Sequence, residues 1–512
     1  MIESDGMGTE YEIPNRILYA DAYTLSSFQL VSPLMRERAA YHLVFRRFVA
    51  PPGLESFGEG KLVFHGLTDI LRKVLSRPLA EREIDEARAL LATFHAGGTP
   101  YPFDEAMWRR VRELGYFPLK IYARRDGAIV NEGEPVLQIV SEPGFGELAA
   151  HFEARLVQVW APSMRATVMR RWLEVNEDLV RRTMDAVDPN VVRAVAQMQT
   201  SDFGDRAGSC AEESEVLGKA HLTSHTGTDT VAAAWSAWRA SRGEINGASI
   251  RALAHRVVQG WDEEGQAFRT LYEVAGDGGF TSHVTDCYSF ERAVAEYLVP
   301  LAREAAGRGS LIVARPDSGD GETCVRFILE AAKSAGLSRQ NGRGFTEMTN
   351  LRYIYADGVD FASVRRLNDA LVASGFAVPG CGIYGIGGYL RDCLRRDGMG
   401  ATMKLCAVGE GMRPVAKLSP NGKGSIPGLV RIEPASSGGP TVHAAEAGGD
   451  FGALELMYDC GRFSAAYEES ADFRNVRRRV LEDWDTFVPS RDVLAGSVRD
   501  RLGEIARRHT VV

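Results

Sequence analysis

Apolar and polar positions fall into two textures along this chain. Up to about Pro143, short β-like runs mix with amphipathic helices. Ala40 to Phe48 alternates as a strand does, while Glu81 to Phe94 places Ile84, Ala87, Leu90 and Leu91 on one helical face. Turn signals at Gly115-Tyr116-Phe117-Pro118 and Asn131-Glu132-Gly133-Glu134-Pro135 separate short strands, the second lying just ahead of the strand-like Val136 to Val140. From about Phe152, helical stretches alternate with short apolar runs that stop at polar or glycine-rich turns. Leu311-Ile312-Val313-Ala314 ends in Arg315-Pro316-Asp317-Ser318-Gly319, Arg352-Tyr353-Ile354-Tyr355 in Ala356-Asp357-Gly358, and Gly382-Ile383-Tyr384 in Gly385-Ile386-Gly387-Gly388. This pattern predicts parallel strands with crossover helices, whose carboxyl ends collect the chemistry in a barrel. After about Lys404 glycine and proline increase again, as in Ser419-Pro420-Asn421-Gly422-Lys423-Gly424, and Val480 to Val512 reads as a charged helix.

The expected fold is therefore α/β: an irregular β/α barrel over residues 152–404, and a second α+β domain over 17–151, completed by 405–512. The 512 residues, 45% hydrophobic and 25% charged, are ample for cores of that size. Sixty Lys and Arg against 68 Asp and Glu give a net charge of -8, with no block of like charge. That argues against a dedicated nucleic-acid binder. The start, Met1-Ile2-Glu3-Ser4-Asp5-Gly6, lacks the basic and apolar regions of a secretory signal, and no stretch is apolar for long enough to span a bilayer. Seven cysteines, an odd number without a C-x-x-C pair, read as reduced thiols. A soluble, cytoplasmic protein is the expectation.

Arg315-Pro316-Asp317-Ser318-Gly319-Asp320 is the strongest local signal. Arg315 offers a planar fork for a carbonyl or phosphate oxygen, and Asp317 can steady a developing positive charge or hold a metal. A structural ion pair beside a turn explains the same six residues about equally well. Gly385 to Gly388 precedes Tyr389 to Asp397, which reads as a helix with Arg391, Arg395 and Arg396; it suits either a phosphate turn or a plain tight turn. His221 and His225 are four apart, but no glutamate stands between them as in a zincin. His255 has no signature in isolation.

Taken in order, these segments resemble the nicotinamide phosphoribosyltransferases of the type II phosphoribosyltransferase group. Asp21-Ala22-Tyr23, Tyr41 to Arg47, Val63-Phe64-His65-Gly66-Leu67, Phe152-Glu153 and Leu156-Val157-Gln158-Val159-Trp160 carry the first part of the likeness. Asp202-Phe203-Gly204-Asp205-Arg206-Ala207-Gly208, Gly227-Thr228-Asp229-Thr230, His255, Ser282 with Asp286 and Tyr288, the Arg315 turn, Asp357-Gly358-Val359-Asp360, Gly387-Gly388 and Arg396 continue it. The resemblance implies transfer from 5-phosphoribosyl-1-pyrophosphate to nicotinamide, with Mg²⁺ on the donor and ATP phosphorylating His255. By similarity Phe203 and a partner subunit's Tyr23 would sandwich the pyridine. Arg315 and Asp229 would hold the amide, and Ser282 and Asp286 would line the substrate site. Asp317 would serve the ribosyl-transfer step. Asp357 and Gly358 would hold ribose or metal, Gly387, Gly388, Arg396 and Lys404 the 5′-phosphate, and Arg47, Arg206 and Lys417 pyrophosphate or nearby phosphates.

A homodimer with shared active sites follows from the same likeness, with Tyr23, Arg47, Arg396 and Lys404 supplied by the opposite subunit. Three positions depart from the family pattern: Ala254 replaces a glutamate beside the histidine, Asp205 a tyrosine, and Ala356 a glycine. Two other readings compete, a nicotinate phosphoribosyltransferase of the same architecture and a non-catalytic pyridine-nucleotide-binding protein.

Overall fold

A computed structural model describes residues 13–419, 423–433 and 439–509. The acidic start, Pro420-Asn421-Gly422 of the late turn, and the last three residues lie outside the described residues. Two seven-stranded sheets organise the chain. In chain order their strands are β1 (Ala39–Phe45), β2 (Leu119–Ala123), β3 (Pro135–Ser141), β4 (Thr200–Asp202), β5 (Gly227–Thr228), β6 (Arg251–Ala252) and β7 (Phe280–Val284). Then follow β8 (Leu311–Arg315), β9 (Leu351–Tyr355), β10 (Gly382–Ile386), β11 (Ala401–Val408), β12 (Arg413–Pro414), β13 (Glu455–Asp459) and β14 (Arg462–Phe463). The chain divides into two compact units. The first holds Met1–Val49, Gly58–Thr167 and Arg395–Val512, and the second Ala50–Phe57 and Val168–Leu394.

The first unit is built on an antiparallel sheet in the order β12-β11-β1-β3-β2-β13-β14. His42 of β1 stands opposite Lys404 of β11, and Val44 opposite Thr402. Residues directly opposite share a face of the sheet, so these four side chains point the same way. The helix Glu81–Phe94 forms as the periodicity predicts, and Ile84, Ala87 and Leu91 are buried. Leu90 is exposed, contrary to expectation, because six residues of helical turn carry it well off the stripe that Ile84 begins. The charged tail is not one helix: Phe473–Thr486 and Gly496–His509 are separate, with the Pro489 segment between them.

The second unit is built on a parallel sheet in the order β5-β4-β10-β9-β8-β7-β6. Its ends approach each other: Gly227 of β5 makes a parallel bridge to Ala248, just ahead of β6. The sheet therefore curls into an irregular barrel. Helices such as Ala211–His221, Glu264–Ala275, Gly321–Ser334 and Phe361–Ala373 provide the crossovers. Their starts are written into the turns. Asp320 accepts from the Thr323 N–H at 2.8 Å and Asp360 from the Ser363 N–H at 2.7 Å, ending each strand-to-helix turn with a cap. Ala356 imposes no strain, because the non-glycine residues with positive φ are Arg242, Met412 and Cys460. All seven cysteines are unpaired. No helix among the described residues is long and apolar enough to cross a membrane.

One buried ion pair anchors the entry into the first unit. Arg16 Nη2 lies 2.8 Å from Glu83 Oε2, with both side chains 1% exposed. Burial opposes ionisation of Glu83, but hydrogen bonds from Arg16 and the Ala80 backbone outweigh it and bring the carboxyl down from 4.5 to about 2. Because the folded value is depressed, this contribution is present above the ordinary carboxylate range and is lost as pH falls from about 4.5 towards 2. Arg16→Met removes the buried partner of Glu83 and leaves the carboxylate with Arg77 Nη1 at 2.9 Å, which should cost about 3 kcal/mol in urea unfolding near neutral pH, a deficit that shrinks below pH 4. An undiminished deficit at pH 3 would contradict this account of the pair.

Candidate active site

Parallel pairing sends the carboxyl ends of all seven second-unit strands to one rim, and the residues singled out there come from successive strand ends. Phe203 follows β4. Its N–H donates to Ile386 O of β10 at 3.0 Å, and a Cβ on Gly385 would stand 2.3 Å from its ring. Gly385 thus leaves the space that the half-buried ring fills. Asp229 follows β5 and is exposed; its N–H donates to Asp202 O at 2.9 Å, and its carboxylate accepts from Ser249 Oγ. Arg206 is exposed in the turn Asp205–Ala207, whose Asp205 carbonyl accepts from Ser214 Oγ at 2.7 Å.

The middle of the rim is a connected polar cluster. His255, which follows β6, donates from Nε2 to Asp286 Oδ1 at 3.1 Å, and its Nδ1 lies 3.9 Å from Asp317 Oδ2. Ser318 Oγ donates to the other Asp286 oxygen at 2.5 Å. Arg315, at the end of β8, donates from Nη2 to Leu253 O at 2.8 Å; its Nε is buried without a partner among the described residues, as is Ser282 Oγ in β7. The Arg315 signal is therefore not a side-chain ion pair. Burial, with Glu264 and Asp286 adding, pushes the Cys287 thiol up to about 11. Burial also raises the Glu264 carboxyl, with Arg292 opposing and Asp286 adding to the rise. Such a negative surround favours positive charge developing beside it.

Asp357 and Gly358 are exposed after β9, where burial and then the Asp357 charge push the Tyr355 phenol up to about 12. Gly387 and Gly388 follow β10. The helix predicted over Tyr389 to Asp397 is broken: one turn, Tyr389–Asp392, belongs to the second unit and another, Arg396–Met399, to the first. Arg395 between them is extended at φ -142° and ψ 124°, where the chain passes from one unit to the other. His221 donates from Nε2 to Gly227 O at 2.9 Å, which occupies it structurally. Among the described residues no group of three or more His, Cys, Asp or Glu gathers to hold a metal ion.

The remaining candidates lie in the first unit. Tyr23 is 68% exposed, and burial, Glu153 and Asp21 raise its phenol. Lys404 Nζ lies 3.9 Å from Glu153 Oε1, so Tyr23 and Lys404 face a common carboxylate. Arg396 pairs with Asp397 at 3.1 Å. Arg47 donates to Asp397 O from Nε at 3.2 Å and Nη2 at 3.0 Å. Arg46, which sequence reasoning passed over, instead lines a cavity of about 200 Å³ with His42, Val44, Thr402 and Lys404. Strand alternation was the available signal, since Arg46 continues the His42 and Val44 face. Burial alone holds the Arg46 guanidinium below its ordinary value, and burial brings His42 down to about 4 despite its bond to Gln138. Lys417 is exposed; its N–H donates to Ser425 Oγ at 2.8 Å.

Known proteins resemble this chain in sequence and in fold. Residues 198–416 match the model of the nicotinate phosphoribosyltransferase (NAPRTase) family. The nicotinamide phosphoribosyltransferase of Xanthomonas campestris pv. campestris is 32% identical over 341 residues, covering 65% of this chain and 70% of that protein. The protein of the same name from Acinetobacter baylyi is 27% identical over 381 residues, covering 68% and 73%. Human nicotinic acid phosphoribosyltransferase superposes with a TM-score of 0.61 at 16% identity, covering 95% of this chain and 99% of that one. Nicotinate-nucleotide pyrophosphorylase from Pyrococcus furiosus gives 0.57 at 14%, covering 93% and 98%. These two structural likenesses show the fold. The barrel, its rim and the relatives together define a phosphoribosyltransferase, a class of pentosyltransferase. Within that class, the chain belongs to the nicotinate phosphoribosyltransferase family, of type II.

The geometry separates two adjacent arginines. Arg46→Ala should weaken inorganic phosphate binding in calorimetry by about tenfold, one charge-assisted hydrogen bond, and Arg47→Ala, whose Nε and Nη2 also serve the Asp397 carbonyl, by about threefold. Equal losses in both variants would remove the cavity from the phosphate path.

Proposed function

We propose that this protein is a nicotinamide phosphoribosyltransferase, forming nicotinamide mononucleotide and pyrophosphate from nicotinamide and 5-phosphoribosyl-1-pyrophosphate in NAD biosynthesis or salvage. The observation that carries the reading is the exposed Asp229 carboxylate, bonded to Ser249 at the barrel rim. A carboxylate there accepts from a carboxamide N–H and repels the carboxylate of nicotinate. The names of the bacterial relatives point the same way. Phe203 offers one stacking face for the pyridine, and Tyr23 from a second copy of the chain the other. The free edge of the Arg315 guanidinium donates to the amide oxygen, and Ser282 Oγ has hydrogen-bonding capacity to spare on the same sheet.

In this reading Asp317, 3.9 Å from His255 Nδ1, stabilises the oxocarbenium-like C1 as the bond to pyrophosphate breaks and the pyridine nitrogen bonds. Asp357 and Gly358 hold ribose hydroxyls or the metal. Gly387, Gly388, Arg396 and Lys404 receive the 5′-phosphate, and Arg46, Arg47, Arg206 and Lys417 the pyrophosphate. Mg²⁺ bound to the pyrophosphate donor would neutralise leaving-group charge. In the proposed ATP-coupled step, His255 attacks the γ-phosphorus, the bond to ADP breaks, and Asp286 keeps the Nε2 proton in place. A homodimer supplies Tyr23, Arg47, Arg396 and Lys404 across its interface.

Turnover of both pyridines with the donor and Mg²⁺ tests the reading. Nicotinamide should be preferred in kcat/KM by on the order of a hundredfold, and Asp229→Ser should erode that preference by about tenfold. A preference for nicotinate overturns the assignment, and tight binding without pyrophosphate release makes the protein a sensor instead. The active species should sediment as a dimer, and full activity in a monomer contradicts the shared site.

A further inference from the structure

We propose that Ser318 is a positioning residue that fixes the orientation and tautomer of His255 through Asp286. The inference rests on His255 being the phosphate-accepting histidine of the proposed reaction, but its geometry stands apart from that chemistry. The two oxygens of Asp286 serve two partners, Oδ1 accepting from His255 Nε2 at 3.1 Å and Oδ2 accepting from Ser318 Oγ at 2.5 Å. A carboxylate anchored at one oxygen loses its freedom to rotate, so the other oxygen stays aimed at Nε2. An ionised carboxylate only accepts, which places the neutral ring's proton on Nε2 and leaves the Nδ1 lone pair free. Nδ1 is the nitrogen 3.9 Å from Asp317.

Ser318 is itself held. Gly319 turns the chain at φ +93°, its carbonyl accepts from Tyr355 OH at 3.3 Å, and the Ser318 carbonyl accepts from Cys324 Sγ at 3.8 Å. The next residue back is Asp317, so one turn holds the group beside the reacting ribose and the hydroxyl that anchors Asp286. Ala254, directly before His255, has no side chain able to orient the ring. Asp286, and Ser318 behind it, carry that task. The hydroxyl thereby ties the nucleophilic state of His255 to the conformation of the Arg315 to Gly319 turn.

The test uses full-length wild type, Ser318→Ala and Ser318→Thr, labelled with ¹⁵N-histidine and with His255 resonances assigned by their loss in His255→Gln. Wild type and Ser318→Thr should show neutral His255 in the Nε2–H form, and Ser318→Ala a mixture of tautomers. In parallel, the rate of acid-labile phosphate incorporation from ATP at saturation should fall about tenfold in Ser318→Ala and return to within about twofold of wild type in Ser318→Thr. The KM for ATP should change by less than about twofold, because Ser318 acts through another residue. An unchanged tautomer in Ser318→Ala, or Ser318→Thr behaving like Ser318→Ala, overturns the proposal. Absence of labelling in wild type alongside the expected tautomer shift supports the positioning role while rejecting the phosphohistidine.

Discussion

Parallel hydrogen bonding gives the second unit its one governing constraint: every strand must run the same way, so every strand must end on the same rim. Seven short strands from distant parts of the chain thereby deliver Phe203, Asp229, His255, Asp286, Arg315, Asp357 and Gly387 to one edge of a curled sheet. Burial is nearly continuous in β7 to β10, and β8 is an apolar run up to Arg315. Most of the candidate site residues lie at or just past the strand ends, where backbone pairing stops and the crossovers begin, with Ser282 inside β7. Changing the rim leaves the core untouched, and the core holds the rim residues in place.

The rim is rich in carboxylates that answer to different partners. Asp229 is bonded to a serine hydroxyl, Asp286 is clamped between a histidine and a serine, and Asp317 lies within Coulombic reach of the same histidine. In the proposed reaction, positive charge builds at the sugar carbon while negative charge departs with pyrophosphate. Acidic groups near the first and basic groups near the second are what such charge separation needs. The first unit, taken by itself, holds cations in two settings, Arg46 with Lys404 in a cavity and Arg47 with Arg396 around Asp397.

Local rules made much of this legible in advance. The Arg315 to Gly319 turn was readable because an apolar strand stops abruptly at charged and glycine residues, and the helix Glu81–Phe94 because its period is clean. What was not legible depended on register or tertiary context. Arg46 and Arg47 look alike in sequence, and only pairing of β1 with β11 shows which shares a face with Lys404. The helix beyond Gly388 is helical in composition, yet it breaks at Arg395 because the chain changes units there. Ser249 carries no pattern, and Ser318 lies in the Arg315 turn without a role the sequence shows; the importance of each lies in which carboxylate its hydroxyl reaches.

A crystal structure with nicotinamide mononucleotide bound is the most direct test of the whole arrangement. The account predicts the pyridine against Phe203, its amide between Arg315 and Asp229, and ribose C1 beside Asp317. A nucleotide seated away from the Arg315 and Asp317 turn, with those two side chains still engaged only with Leu253 and His255, would contradict it.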